Sequence, residues 1–222
     1  MIGGMARIVI VGGHGKVGLL LAPLLVKAGD EVTSIVRNPD HTADVAATGA
    51  RPVVADVENL DTEAIAALLA GHDAVVWSAG AGGGNPVRTY AVDRDAAIRT
   101  IDAAETAGVR RFVMVSYFGA GPDHGVPADN GFFPYAEAKS EADAYLAGTA
   151  LDWTILRPSR LTLDAPTGLI ETSAQGAKPG AVSRADVAAT VVAALADPST
   201  RGLTVEFNNG ATPIADALRP SR

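Results

Sequence analysis

The chain has 222 residues, 48% of them hydrophobic, with no cysteine and a formal charge of −7. The hydrophobic share excludes a disordered chain, and the missing cysteines exclude disulfides and thiolate chemistry. The acidic balance argues against a nucleic-acid surface, and no apolar run reaches the roughly 18 residues of a membrane span. A cytoplasmic protein with a small-molecule partner is expected, its oligomeric state open.

Residues 1–5 precede the first patterned segment and read as an unstructured or appended leader. One domain is expected over residues 6–222, its C-terminal part forming a short substrate-side segment. Arg7–Val11 reads as a buried strand and runs straight into Gly12-Gly13-His14-Gly15-Lys16-Val17-Gly18. Glycines at 12, 15 and 18 let backbone N–H groups approach a pyrophosphate, with a helix N-terminus behind them. Gly12, His14, Gly15, Lys16, Val17 and Gly18 are therefore candidate cofactor contacts. Lys16 is followed by Val17, which excludes a P-loop. In the following helix Val17, Leu20, Leu21, Leu24, Leu25 and Ala28 form one stripe, Gly29 supplies a left-handed stop, and Pro23 predicts a kink.

Glu31–Arg37 is the second strand. No acidic residue ends it; Arg37 suits a 2′-phosphate, which favours NADP over NAD. Arg51–Ala55 is the third strand, followed by Asp56-Val57 where an adenine edge would lie; Asp56 is equally suited to a turn. Asp61 opens a helix that ends before Gly71. Ala74–Ser78 is the fourth strand, and Ser78, Ala79 and Gly80 begin a floor of small residues that reaches Gly84. A helix over Asp93–Ala107 precedes the fifth strand, Arg111–Ser116.

Gly119–Pro134, rich in Gly and Pro, predicts a long functional loop. Behind it, Tyr135 and Lys139 stand at i and i+4 on one helical face. An ammonium beside a phenol would lower the phenol's pKa toward working pH, making Tyr135 a candidate proton donor and Lys139 a ribose contact. Trp153–Leu156 and Thr204–Phe207 are the remaining strands. Asp164–Ala181 is a second long loop, and Ser183-Arg184-Ala185-Asp186 predicts a capping box. Strands alternating with helices specify an α/β fold, a Rossmann-type doubly wound parallel sheet in a single domain. His14, His41, His72 and His124 are scattered as loop and surface residues, so no metal site is expected.

These residues together resemble the atypical short-chain dehydrogenase/reductases, and in particular their small NAD(P)H-binding, epimerase/dehydratase-like members. The resemblance runs from about Ala6 to Leu218. It rests on the Gly12–Gly18 turn, Val36-Arg37-Asn38, Ala55-Asp56-Val57, Val109–Val113, Leu151–Pro158 and Ser183–Ala188. It implies a Rossmann fold, bound NADP(H) and, where complete, an Asn–Ser–Tyr–Lys tetrad. Tyr135 and Lys139 match its last two members, and Asp93 falls at the Asn position. The Ser position is open: Ser116 ends the strand, whereas counting from the strand end selects Tyr117. Pro158 and Ser159 match positions that line the nicotinamide. The extension that binds nucleotide sugars in longer relatives is much shortened here.

The function expected is NADPH-dependent reduction of a small carbonyl-type substrate. The rival readings are a non-catalytic NADP(H) sensor of the NmrA-like kind, a flavin or quinone reductase, and a sugar epimerase/dehydratase-like enzyme.

Overall fold

A computed structural model describes residues 5–219 of the chain. Most of the expected leader therefore lies outside the described residues, and Met5 is exposed coil. The N-terminal half runs β1 (Arg7–Val11), α1 (Lys16–Ala28), β2 (Glu31–Val36), α2 (Thr42–Ala47), β3 (Arg51–Val54), α3 (Thr62–Leu69) and β4 (Ala74–Trp77). Then come α4 (Pro86–Thr89), a π-helical turn (Tyr90–Ala96), α5 (Ala97–Thr106), β5 (Arg111–Val115) and α6 (Phe133–Ala147). The rest comprises β6 (Asp152–Pro158), β7 (Arg160–Thr162), β8 (Leu169–Thr172), β9 (Ala181–Ser183), α7 (Arg184–Ala196), β10 (Leu203–Asn209), β11 (Thr212–Pro213) and α8 (Ile214–Ala217).

The main sheet has the order β11-β8-β10-β6-β5-β4-β1-β2-β3. From β10 to β3 all neighbours are parallel, as expected of a doubly wound domain. Strand order reverses between β1 and β4, so a crevice opens at their carboxyl ends. Alternation along β1 feeds two cores. Ile8 and Ile10 face Leu21 and Leu25 of α1 and Val187 and Val191 of α7, while Val9 and Val11 face Ile65, Leu69 and Ile101. Burying each such side chain contributes about 1.5–3 kcal/mol.

Several elements differ from the sequence expectations. In α1 the buried line is Val17, Gly18, Leu21, Ala22 and Leu25, whereas Leu20 and Leu24 lie toward solvent. Gly18 and Ala22 take the inner positions because the helix presses closely on the turn below it. The helix continues through Pro23. The helix expected from Asp93 starts earlier, in an unbroken helical run from Pro86 to Thr106, with Asp93 in its π-helical turn. The long loop before α6 ends at Phe132, since Pro134 occupies the first turn, where a missing N–H costs nothing. The other expected loop contains β8, antiparallel to β10 and paired with β11. His72 is no bare surface residue: it bridges the Leu69 carbonyl and Thr33 Oγ1.

The cap of α7 also departs from a reciprocal box. Ser183 Oγ accepts from the Asp186 N–H at 2.9 Å, but the Ser183 N–H goes to Asn209 Oδ1. The Asp186 carboxylate accepts from the Ser183 hydroxyl at 2.8 Å, from the N–H groups of Thr167 and Gly168 at 3.0 and 2.8 Å, and from the Asn209 amide. Asp186 is fully buried. Burial pushes its carboxyl up, yet bonds from Thr167, Asn209, Gly168 and Ser183 together hold it below the usual carboxylate range.

A depressed folded-state pKa gives stability that is present above the unfolded value of about 3.9 and lost as pH falls through the folded one. Asp186→Asn, which turns an amide toward those donors, is expected to cost about 2–4 kcal/mol at neutral pH. Urea denaturation of wild type and variant across pH should show the gap narrowing in acid. A pH-independent gap would remove the charge from this account.

Candidate functional site

The site begins where β1 ends. Gly12 has a φ of +89°, and a Cβ there would lie 2.6 Å from the Ala79 backbone. At Gly13 it would lie 2.4 Å from the Ser34 side chain, and at Gly18, 2.7 Å from the Gly12 carbonyl. The turn is thus wedged between the ends of β2 and β4, with α1 pressed on top. The N-cap of α1 is Gly15, which brings no side chain to the first-turn N–H groups. A cradle closed to any Cβ, with free amides at a helix start, fits the pyrophosphate of a dinucleotide.

Beyond the cradle is a cavity of about 260 Å³, bounded by Gly12, His14 and Gly15 on one side and Asp56 and Val57 on another. Asp56 serves as a turn residue too, accepting from the Glu58 N–H and the Asn59 amide. Arg37 stands at the rim, 3.4 Å from Glu58, and the same carboxylate accepts from Arg88 Nε at 3.1 Å. Arg88 also donates to the Ala81 carbonyl at 2.6 Å. The His14 ring stacks on His41 with centroids 3.5 Å apart and pairs with Asp44 at 2.9 Å. Lys16 is exposed and lines neither this cavity nor the next. Sequence reasoning missed Glu58, Arg88 and His41. Glu58 directly follows Asp56-Val57 and so could have been found, whereas Arg88 carries no local signal.

Gly15, Ser78, Ala79 and Gly80 also border a second cavity of about 710 Å³, so the two form one groove. Val17, Asp93, Ser116, Tyr135 and Lys139 line the wide end. Lys139 is 1% exposed, and its ammonium donates to the Val115 carbonyl at 2.8 Å. Burial lowers its pKa against the opposing pull of Asp93 and Asp143. Asp93 accepts from the Ala81 N–H at 3.0 Å; burial raises its carboxyl, and Lys139 works against that. The π-helical turn presents Asp93 here, and the Tyr90 hydroxyl in the same turn bonds to Glu137 of α6. That bond pushes the Tyr90 phenol up to about 12.

Two expectations are corrected. Tyr135 does not have a lowered pKa: burial first, then the charges of Asp93 and Asp143, push its phenol upward. The Lys139 ammonium is held by Val115 and so does not act on the phenol as the i, i+4 spacing suggested. At the Ser position, Ser116 lines the cavity and donates to Asp143 at 2.7 Å. Tyr117 instead packs edge-on against Phe132 and tilts against Tyr135. Asp143, missed in the sequence, is buried, also accepts from Arg157 Nε at 2.9 Å, and is pushed up by burial. It lies one helical turn beyond Lys139, so the spacing could have shown it. Pro158 and Ser159 line neither cavity; Ser159 Oγ accepts from the Gly180 N–H. Among the described residues no cluster of His, Asp and Glu is placed to hold a metal ion, and no helix is long and apolar enough to cross a membrane.

Residues 12–198 match the family described as NAD(P)H-binding. The chain belongs to that family. It is 35% identical over 215 residues to the uncharacterized sugar epimerase YhfK of Bacillus subtilis, covering 96% of this chain and 99% of the relative. A Bacillus halodurans structure named for the NAD-dependent epimerases/dehydratases superposes with a TM-score of 0.88 at 34% identity, over 96% of this chain and 98% of the other. The oxidoreductase ylbE of Lactococcus lactis gives 0.85 at 31%, over 96% and 94%. The NAD(P)H-binding domain is thus of the epimerase/dehydratase-like, atypical short-chain dehydrogenase/reductase type, and its cofactor is a nicotinamide dinucleotide.

Gly12→Ala tests the cradle. A Cβ at positive φ against the Ala79 backbone should cost about 1–3 kcal/mol of stability and distort the turn. Denaturation and dinucleotide titration should both register the loss; normal affinity in the variant would mean that the turn tolerates displacement.

Proposed function

We propose that the chain is an NADP(H)-dependent oxidoreductase that reduces a carbonyl-type acceptor, with Tyr135 as proton donor. The observation that carries this reading is the shared wall at Gly15, Ser78, Ala79 and Gly80, which joins a nucleotide-sized end to an end lined by Tyr135 and Lys139. Bound along the groove, the reduced nicotinamide would supply a hydride.

The protein's own residues supply the rest. The first-turn amides of α1 hold the pyrophosphate, and Asp56 and Val57 flank the adenine. Arg37 takes the 2′-phosphate, with Arg88 beside it; Glu58, already paired to both, keeps the two guanidiniums at that rim. In the wide end the acceptor oxygen faces Tyr135. The raised pKa keeps the proton on the phenol at neutral pH, so Tyr135 is charged with the proton it must give. The Asp93 carboxylate opposes negative charge on the phenol, so the Tyr135 proton moves only as the acceptor oxygen gains charge and takes it. The absence of cysteine suits a reducing, cytoplasmic setting. One observation favours a second reading, a non-catalytic dinucleotide sensor: the Ser116 hydroxyl is donated to Asp143, not to the groove.

Arg37→Ala should weaken NADPH binding about ten- to a hundredfold and leave NADH nearly unchanged, the loss of one charge-assisted phosphate contact. Equal affinity of the wild type for the two dinucleotides would sink the NADP assignment.

Tyr135→Phe keeps the ring but removes the proton. Single-turnover NADPH oxidation should fall about 10²–10⁴-fold with NADPH affinity unchanged. The wild-type rate should show no loss attributable to this phenol between about pH 6 and pH 9, since its pKa lies above the ordinary value of about 10. No turnover in either form with any carbonyl would favour the sensor.

A further inference from the structure

The two ends of the groove differ in chemistry. The nucleotide end carries Arg37, Arg88, His14 and His41. At the wide end the charged residue types among the described lining residues are Asp93 and Lys139, both buried, with the ammonium donating to the Val115 carbonyl. Among the described lining residues an anionic substrate meets no exposed cation to offset its lost hydration.

The wall is aromatic instead. The Phe132 and Tyr135 rings lie 5.2 Å apart, and Tyr117 backs them at 5.3 and 5.6 Å. Phe132 is 44% exposed, so its ring is open to a partner. Apolar surface continues toward the mouth. Leu161 lines the wall, Leu163 beyond it is 76% exposed, and Val87 beside the lining Pro86 is 80% exposed. Rings held edge-on and tilted against each other present flat faces that take a further planar group.

Resting on the oxidoreductase reading above, we infer that the acceptor is a neutral, flat aromatic ketone seated against Phe132 and Tyr135. A charged sugar nucleotide does not suit that wall. In the reduction a C–H bond forms at the carbonyl carbon with the hydride from NADPH. The C=O π pair moves to oxygen, which takes the Tyr135 proton, and the dinucleotide leaves oxidised.

Binding tests this without turnover. Calorimetric titration of the protein saturated with NADP⁺ uses 2-acetylnaphthalene as the flat neutral probe and UDP-glucose as the charged one. The ketone should bind, UDP-glucose should not, and Phe132→Ala should weaken the ketone about three- to thirtyfold with NADP⁺ affinity unchanged. Leu161→Ala, which lies outside any helix, should weaken the ketone in the same direction and guards against a folding defect at the start of α6. UDP-glucose binding more tightly than the ketone, or ketone affinity indifferent to both variants, overturns the inference. Failure of the hydride-transfer reading looks different: the ketone binds with its Phe132 dependence intact, yet NADPH is not oxidised. Turnover of aliphatic carbonyls alone, with no ketone bound, overturns the inference and leaves that reading standing.

Discussion

A lysine ammonium without water is costly to hold, and Lys139 is 1% exposed. It is sustained by a bond to the Val115 carbonyl and by the carboxylates of Asp93 and Asp143. The Arg157 guanidinium adds a second positive charge on Asp143 and also reaches Glu206. Each partner comes from a different element: the π-helical turn, α6, the end of β5 and β6. Within the cluster Arg157 and Asp143 form a direct ion pair, and removing the arginine would strip a buried carboxylate of that partner. The cluster therefore fixes how these four elements meet at the wide end of the groove. Tyr135, one turn before Lys139, and Ser116, one residue after Val115, inherit their positions from it.

The glycine turn imposes a second, steric constraint at the other end. Gly12 and Gly13 are places where the chain passes within contact of the ends of β4 and β2, so backbone, not side chain, faces the groove there. Side-chain chemistry is displaced to the rim, onto Arg37, Arg88, Glu58 and the stacked histidines. A groove built this way recognises a dinucleotide by shape along its floor and by charge at its edge. Selectivity between related dinucleotides then falls to the exposed rim, where one arginine contact is worth less than a buried one because solvent screens it.

What the sequence made legible follows the same division. Near-continuous apolar strands, the glycine turn and the Tyr135–Lys139 face are local patterns, and each is placed by its own neighbours in the chain. The partners that complete them were not legible, because they arrive through long-range packing: Arg88 meets Glu58 across 30 residues and Arg157 meets Asp143 across 14. Pattern also misled where its physical cause was overridden. Leu20 and Leu24 fit an apolar stripe, but the close seat of α1 on Gly12 gives the inward places to Gly18 and Ala22. The phenol of Tyr135 beside a lysine suggested a depressed pKa, yet burial and two carboxylates act the other way. β8 and β11 are four and two residues long, too short to show a period of two.

The C-terminal segment positions a wall by polar bonds as well as by burial of Ile170, Val182 and Phe207. β7 and β9 pair with each other in a separate two-stranded sheet, and β8 extends the main sheet antiparallel to β10, with β11 outside it as the edge. Leu161, which faces the groove, sits on β7, whose carbonyl is held by Arg184 at the start of α7. The same helix start holds Asp186, whose carboxylate gathers Thr167, Gly168 and Asn209. Apolar burial is indifferent to small shifts, whereas these bonds are directional and stop working when misaligned. The polar node therefore fixes the wall's register alongside the apolar burial of the same segment. Such a segment can change its groove-facing side chains, Leu161 among them, without disturbing the cofactor cradle on the far side of the sheet order. Fold and cofactor can thus be held in common with relatives while the acceptor differs.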